Sequence, residues 1–150
     1  MSPIFSEIYL QYIENTVIYD ILLNYHIVGY FRYVDDILIT CNKTTTNIYD
    51  VFNAFINLMP TMKFTIEEEK EYKINFLDIT ILKENDNLSF DIYRKRTTTD
   101  TIMPNDSCHP KEHKLAAIRY LANRMETYIL NSINKDKENN MIKQILYNNK

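Results

Sequence analysis

The sequence predicts an α+β fold, and three observations carry that expectation. Apolar residues recur at three- and four-residue intervals over 48–59 and again over 115–129, the spacing of one buried helix face. Short runs of Ile, Tyr, Phe and Val, bounded by Asp, Asn and Glu turns, read as antiparallel strands. The segments follow the order helix, hairpin, helix, strands, and then a separate helical part.

Ser2-Pro3 reads as a helix start, with Ser as the cap and Pro at the first helical position. The helix runs from 3 to about 23, with Ile4, Ile8 and Tyr12 along one apolar line. A hairpin follows over 27–41. After the Lys43-Thr44-Thr45-Thr46-Asn47 loop, Ile48, Val51, Phe52, Phe55, Ile56 and Met59 form the clearest amphipathic stripe, which Pro60 stops. Three strands are expected at 63–69, 73–82 and 88–94, the last two joined by a Glu84-Asn85-Asp86-Asn87 turn. Residues 104–110 read as loop. A second strong helix spans 111 to about 131, with Leu115, Ile118, Leu121, Ala122, Met125 and Ile129 on its buried side and Lys114, Arg119 and Arg124 elsewhere. The polar tail, 134–150, has a short helix around 141–146 with frayed ends.

At 150 residues, the chain can hold one domain with a real core or a piece of a larger one. Its single glycine, Gly29, excludes glycine-rich phosphate loops. The two cysteines, Cys41 and Cys108, are too few for a disulfide framework and fit a reduced, intracellular setting, nuclear or cytoplasmic. No apolar run approaches the roughly 20 residues of a membrane span, and no signal peptide is visible. The net charge is −3, but it is unevenly spread. Residues 1–92 hold 6 Lys and Arg against 14 Asp and Glu, whereas 93–124 hold 7 against 3. An acidic part that could bind metal thus precedes a basic part that could bind a phosphate backbone.

Asp35 and Asp36 lie between the β-prone runs Gly29-Tyr30-Phe31-Arg32 and Ile37-Leu38-Ile39-Thr40, so the local solution is a hairpin with the acidic pair at its tip. The two like charges repel unless solvent or a cation offsets them. A Mg²⁺ ion takes carboxylate oxygens and keeps positions open for phosphate, the arrangement of two-metal phosphoryl transfer. The bland alternative is a solvated acidic turn.

Phe31-Arg32-Tyr33-Val34-Asp35-Asp36-Ile37-Leu38-Ile39 resembles the catalytic hairpin of reverse transcriptases. Ser2-Pro3-Ile4 is similar to the end of the motif that precedes it, and Phe76-Leu77-Asp78 to a strand downstream. The stretches Tyr93–Asp100 and Asn105–Pro110, then His113-Lys114, look like the approach to the thumb in Penelope-like retroelements. The resemblance covers about residues 2–125. It implies a partial polymerase palm over 1–96 and a thumb-like helical region over 97–150. Asp35 and Asp36 would hold two Mg²⁺ ions, Asp35 as the shared ligand, with Tyr33 against the primer end and Arg32 neutralising phosphate. Arg94, Lys95, Arg96, Lys111, Lys114, Arg119 and Arg124 would grip a duplex of RNA template and DNA primer, and deoxynucleotides would be the substrates.

The family's palm also uses an Asp upstream of the first helix, and fingers for the nucleotide, which these residues do not include. The expectation is therefore a fragment of an RNA-directed DNA polymerase, inactive alone, whose partner could be the missing amino-terminal part. The rivals are a non-catalytic nucleic-acid-binding module, and a helper subunit completed by a second chain. Among smaller features, Cys108, His109 and His113 are three potential zinc ligands without an evident fourth, and more simply a loop before a helix. Asp78 is unusual within an apolar strand and could pair with a cation. Glu67-Glu68-Glu69 reads as an exposed strand end.

Overall fold

The computed structural model describes residues 3–58, 62–99 and 101–149. The chain divides into two compact units, 1–67 and 68–150. The α+β class holds, but the strands form two small antiparallel sheets, and no polymerase palm is identifiable in them.

In the first unit, α1 (Pro3–Ile13) continues through a widened π turn (Glu14–Ile18) into α2 (Tyr19–Asn24). Ile13 precedes that turn and Ile18 ends it, and both are buried with Ile21. The wider turn explains their five-residue spacing, because a π turn closes on i→i+5 rather than i→i+4 bonds. The expected apolar line was the wrong one: Ile4, Ile8 and Tyr12 are 58–70% exposed. The helix carries apolar residues on several sides, so spacing alone could not choose the buried one. The Ser2 cap lies outside the described residues, as do Met59 and the Pro60 stop.

Strands β1 (Ile27–Tyr33) and β2 (Asp36–Cys41) pair in the expected hairpin, with Tyr33 opposite Asp36. Its two-residue loop is Val34-Asp35, and Val34 takes a φ of 52°. Two-residue hairpin loops require a positive φ at their first position, which glycine or Asn meets with less strain than a β-branched residue. Gly29, by contrast, answers to crowding: a Cβ there would stand 2.6 Å from the Thr40 hydroxyl and 2.9 Å from the Phe31 ring.

Helix α3 (Ile48–Leu58) buries Val51 and Phe55 from the expected stripe, though Ile56 on its margin is exposed. The preceding loop is tied down by the buried Thr46, whose hydroxyl donates to the Tyr25 carbonyl at 2.8 Å. Ile13, Ile18, Ile21, Val51 and Phe55 make the core, and Tyr30, Ile37, Ile39, Met62 and Phe64 pack around it. Phe64 meets Phe55 edge-to-face at 5.9 Å. The expected strand over 63–69 does not form, since this segment has no ladder partner. Its alternation comes instead from Met62 and Phe64 packing against the core.

The second unit opens with the meander β3 (Lys73–Phe76), β4 (Ile79–Glu84) and β5 (Asn87–Ile92). The single strand expected over 73–82 is two strands, reversed at Leu77-Asp78 with Leu77 at φ 55°. An uninterrupted apolar run concealed this turn, because Leu supplies no turn signal. The Asn85-Asp86 turn appears as expected.

Helix α4 (Lys111–Thr127) ends four residues before the expected 131, so Ile129 lies past the helix and is 84% exposed. The frayed tail is instead a 17-residue helix, α5 (Ser132–Asn148). Asn131 caps it, its side chain accepting the Asn134 N–H at 2.7 Å. Helix α5 buries Glu138, Ile142 and Ile145, and it lies along β5 through a 2.8 Å bond from the Asn134 amide to the Phe90 carbonyl. The expected boundary at 96/97 falls inside this unit, between the sheet and the helices bonded to it.

Candidate nucleic-acid interface

The cationic side chains proposed for nucleic acid fall into two groups: those engaged within the fold by a carboxylate, a carbonyl or an aromatic ring, and those open to solvent. Arg32 belongs to the first. The π turn and α1 bring Glu14 and Glu7 against it. Its Nη2 donates to Glu7 Oε1 at 2.8 Å and to Glu14 Oε2 at 3.2 Å, and its Nη1 to the Val34 carbonyl at 3.3 Å. These bonds, first to Glu7 and then to Glu14, hold the guanidinium firmly protonated. The Arg32 bond in turn lowers the Glu7 carboxyl below its ordinary value. Tyr30 donates to Glu14 Oε1 at 2.9 Å, and its phenol is pushed up, chiefly by burial. Arg32 therefore braces the hairpin on the helix.

Arg94 is likewise committed. It forms a fork with the buried Glu138 of α5, Nη1 to Oε2 at 2.7 Å and Nη2 to Oε1 at 2.5 Å. Lys114 spends its ammonium on the Asn105 carbonyl at 2.7 Å, anchoring the loop before α4. Arg124 lies over the Tyr120 ring, 5.8 Å from its centroid.

The second group comprises Lys95, Arg96, Lys111 and Arg119, all exposed and without an ion pair among the described residues. Lys95 and Arg96 occupy a turn closed by the Thr98 N–H on the Lys95 carbonyl at 2.8 Å. Lys111 and Arg119 stand on α4, which runs into α5 through the short Tyr128–Asn131 connection.

Residues 101–150 match the family model described as Animal helix-turn-helix domain. The match covers α4, its connection and α5, one third of the chain. No curated protein and no solved structure matches. The finding corrects the expected kinship with Penelope-like reverse transcriptases: no reverse transcriptase family model matches, and the segment read as a thumb is the one matched. Sequence reasoning missed this pair because it placed the connection inside one long helix. The Asn131-Ser132 step was the available cap signal.

Asp35 and Asp36 are both exposed, one in the hairpin loop and the other opening β2, with Tyr33 exposed opposite it. Among the described residues no three His, Cys, Asp or Glu gather to hold a metal ion. Asp78 is not a strand residue. It sits in the β3–β4 turn, where its carbonyl accepts the Tyr93 N–H at 2.9 Å and its carboxylate meets the Tyr120 hydroxyl at 3.4 Å. No helix among the described residues is long and apolar enough to cross a membrane.

Proposed function

We propose that this protein is a non-catalytic nucleic-acid-binding module that contacts phosphate backbone through its carboxy-terminal helix pair. The observation that carries this reading is the helix-turn-helix match over 101–150. Helix-turn-helix units place their second helix in a groove while the first crosses the backbone. Here α5 is held along its own sheet by Glu138 and Asn134. This favours α4, with Lys111 and Arg119, as the backbone-facing helix, and Lys95 and Arg96 extend the same positive stretch of sequence. Contacts of this kind release counterions and carry little sequence information.

The test is fluorescence anisotropy of a labelled duplex at increasing salt. Binding should weaken steeply with salt, and Lys111→Gln with Arg119→Gln should flatten the log–log slope by roughly 2. Asp35→Asn should leave binding intact. Salt-independent binding, or none at 50 mM salt, would overturn the reading.

A further inference from the structure

The second unit contains a cleft of about 230 Å³ lined by Asp78, Tyr120, Asn123, Arg124, Thr127 and Tyr128. It is smaller than the roughly 300–1,000 Å³ of pockets for drug-sized ligands, which suits a single ring system. Its chemistry is mixed. The Asp78 carboxylate disfavours phosphate, and the Arg124 guanidinium disfavours a free cation. Arg124 Nε and Nη2 are shut off from solvent yet donate to nothing among the described residues, two donors that an acceptor would satisfy. Tyr120 already stacks on that guanidinium, so the wall is planar and aromatic. A ligand that answers all of this is flat and carries two adjacent donors beside an acceptor.

Guanine is the nucleobase with that edge. Its N1–H and N2–H₂ match the two oxygens of a carboxylate, while O6 and N7 accept from arginine. Adenine would set a lone pair at N1 against Asp78. Proteins that read unpaired nucleotides stack the base on aromatic or guanidinium planes and bond its edge, the combination present here. We propose that this cleft takes one unstacked guanine from a bound strand, with Asp78 accepting from N1–H and N2–H₂ and Arg124 turning its free donors onto O6. The inference rests on the nucleic-acid reading above and gives it a base preference.

Two measurements on the full chain test it. In the first, anisotropy compares labelled DNA heptamers with a central guanine, inosine or adenine among thymines. The guanine heptamer should bind about tenfold tighter than the adenine one, with inosine between because it lacks the N2 amine. Asp78→Asn, at a turn position Asn tolerates, should erase the preference. So should Thr127→Trp, which fills the cleft from an exposed helix end, while both keep the salt dependence. In the second, guanosine monophosphate should shift the Arg124 Nε–H resonance and adenosine monophosphate should not. Equal binding of all heptamers overturns the guanine site and leaves backbone binding standing. A resonance that responds to neither mononucleotide, or to both alike, also overturns it, whatever the heptamers do. A guanosine-specific shift without heptamer binding supports the cleft and removes the backbone reading.

Discussion

Arg32 and Arg94 sit in different units and have similar partners, yet they perform different tasks. Arg32 lies between Glu7 and Glu14, both on the helix preceding its strand, so it fastens a hairpin to its neighbour in sequence. Arg94 reaches across 44 residues to Glu138, whose side chain is only 3% exposed, so it fastens a sheet to the last helix. The units also differ in charge: 1–67 holds 3 Lys and Arg against 7 Asp and Glu, while 68–150 holds 14 against 13. In both, the arginine nearest the carboxylates is absorbed into the fold. Of the basic residues expected to meet nucleic acid, those left after internal pairing are Lys95, Arg96, Lys111 and Arg119, all in the second unit. A count of basic residues in the sequence overstates an interface by those the fold consumes.

The strongest way to break this comparison is Glu138→Ala. It removes the two-bonded fork between Arg94 and a buried carboxylate and should cost about 3 kcal/mol in denaturant unfolding of the second unit. Arg32→Ala should cost the first unit less, about 1.5 kcal/mol, because Glu7 can return to water. If the two variants lost equal stability, the proposed difference between the clamps would be wrong. Neither should change the salt slope of nucleic-acid binding, whereas the loss caused by Lys111→Gln should be about fourfold smaller at 200 mM than at 50 mM salt, because one phosphate contact fewer flattens the slope.

Acidity sharpens the contrast from another side. The Arg32 bond holds the Glu7 carboxyl below its ordinary 4.5. Its contribution is thus complete above that value and fades as pH falls through the lowered native one. Tyr30 runs the opposite way: burial and Glu14 raise its phenol, so its contribution is intact below 10 and is lost as pH climbs beyond it. Melting temperatures of the native chain and Arg32→Ala should draw together as pH falls through the lowered Glu7 value, and those of the native chain and Tyr30→Phe should change their order only on the alkaline side. The smallest expected effect is a gain. Val34→Asn relieves a β-branched residue at φ 52° and should add about 1 kcal/mol, seen as a shifted denaturant midpoint.

Much of the fold was legible where pattern and chemistry agree. The α3 stripe, the Asp-bearing hairpin and the Asn85-Asp86 turn each combine a periodic apolar face with polar residues at the reversal. Legibility failed where one of those signals was silent. Leu77 turns the chain inside an apolar run, and α5 is so rich in Asn and Lys that its buried Ile142 and Ile145 look incidental. The candidate site was legible as basic residues on a helix. Which of them stay available depended on long-range partners such as Glu138, and spacing cannot express that. The acidic pair was located correctly in its hairpin, where Tyr33 stands opposite Asp36.

The widened turn at Glu14–Ile18 has a consequence for how the amino-terminal helix tolerates change in length. Each residue of a regular α-helix advances the azimuth by about 100°. Removing one residue from this turn would let the ladder close normally and would keep what precedes it in phase with Ile18 and Ile21, because the wide turn spends one extra residue on the same rotation. Ile13 and Ile18 would then stand four residues apart on one face, so Ile13 would stay in the interior and Glu7 would still face Arg32. A single-codon deletion there should thus be milder than one elsewhere along the same helix, where a lost residue turns the preceding face by about 100°.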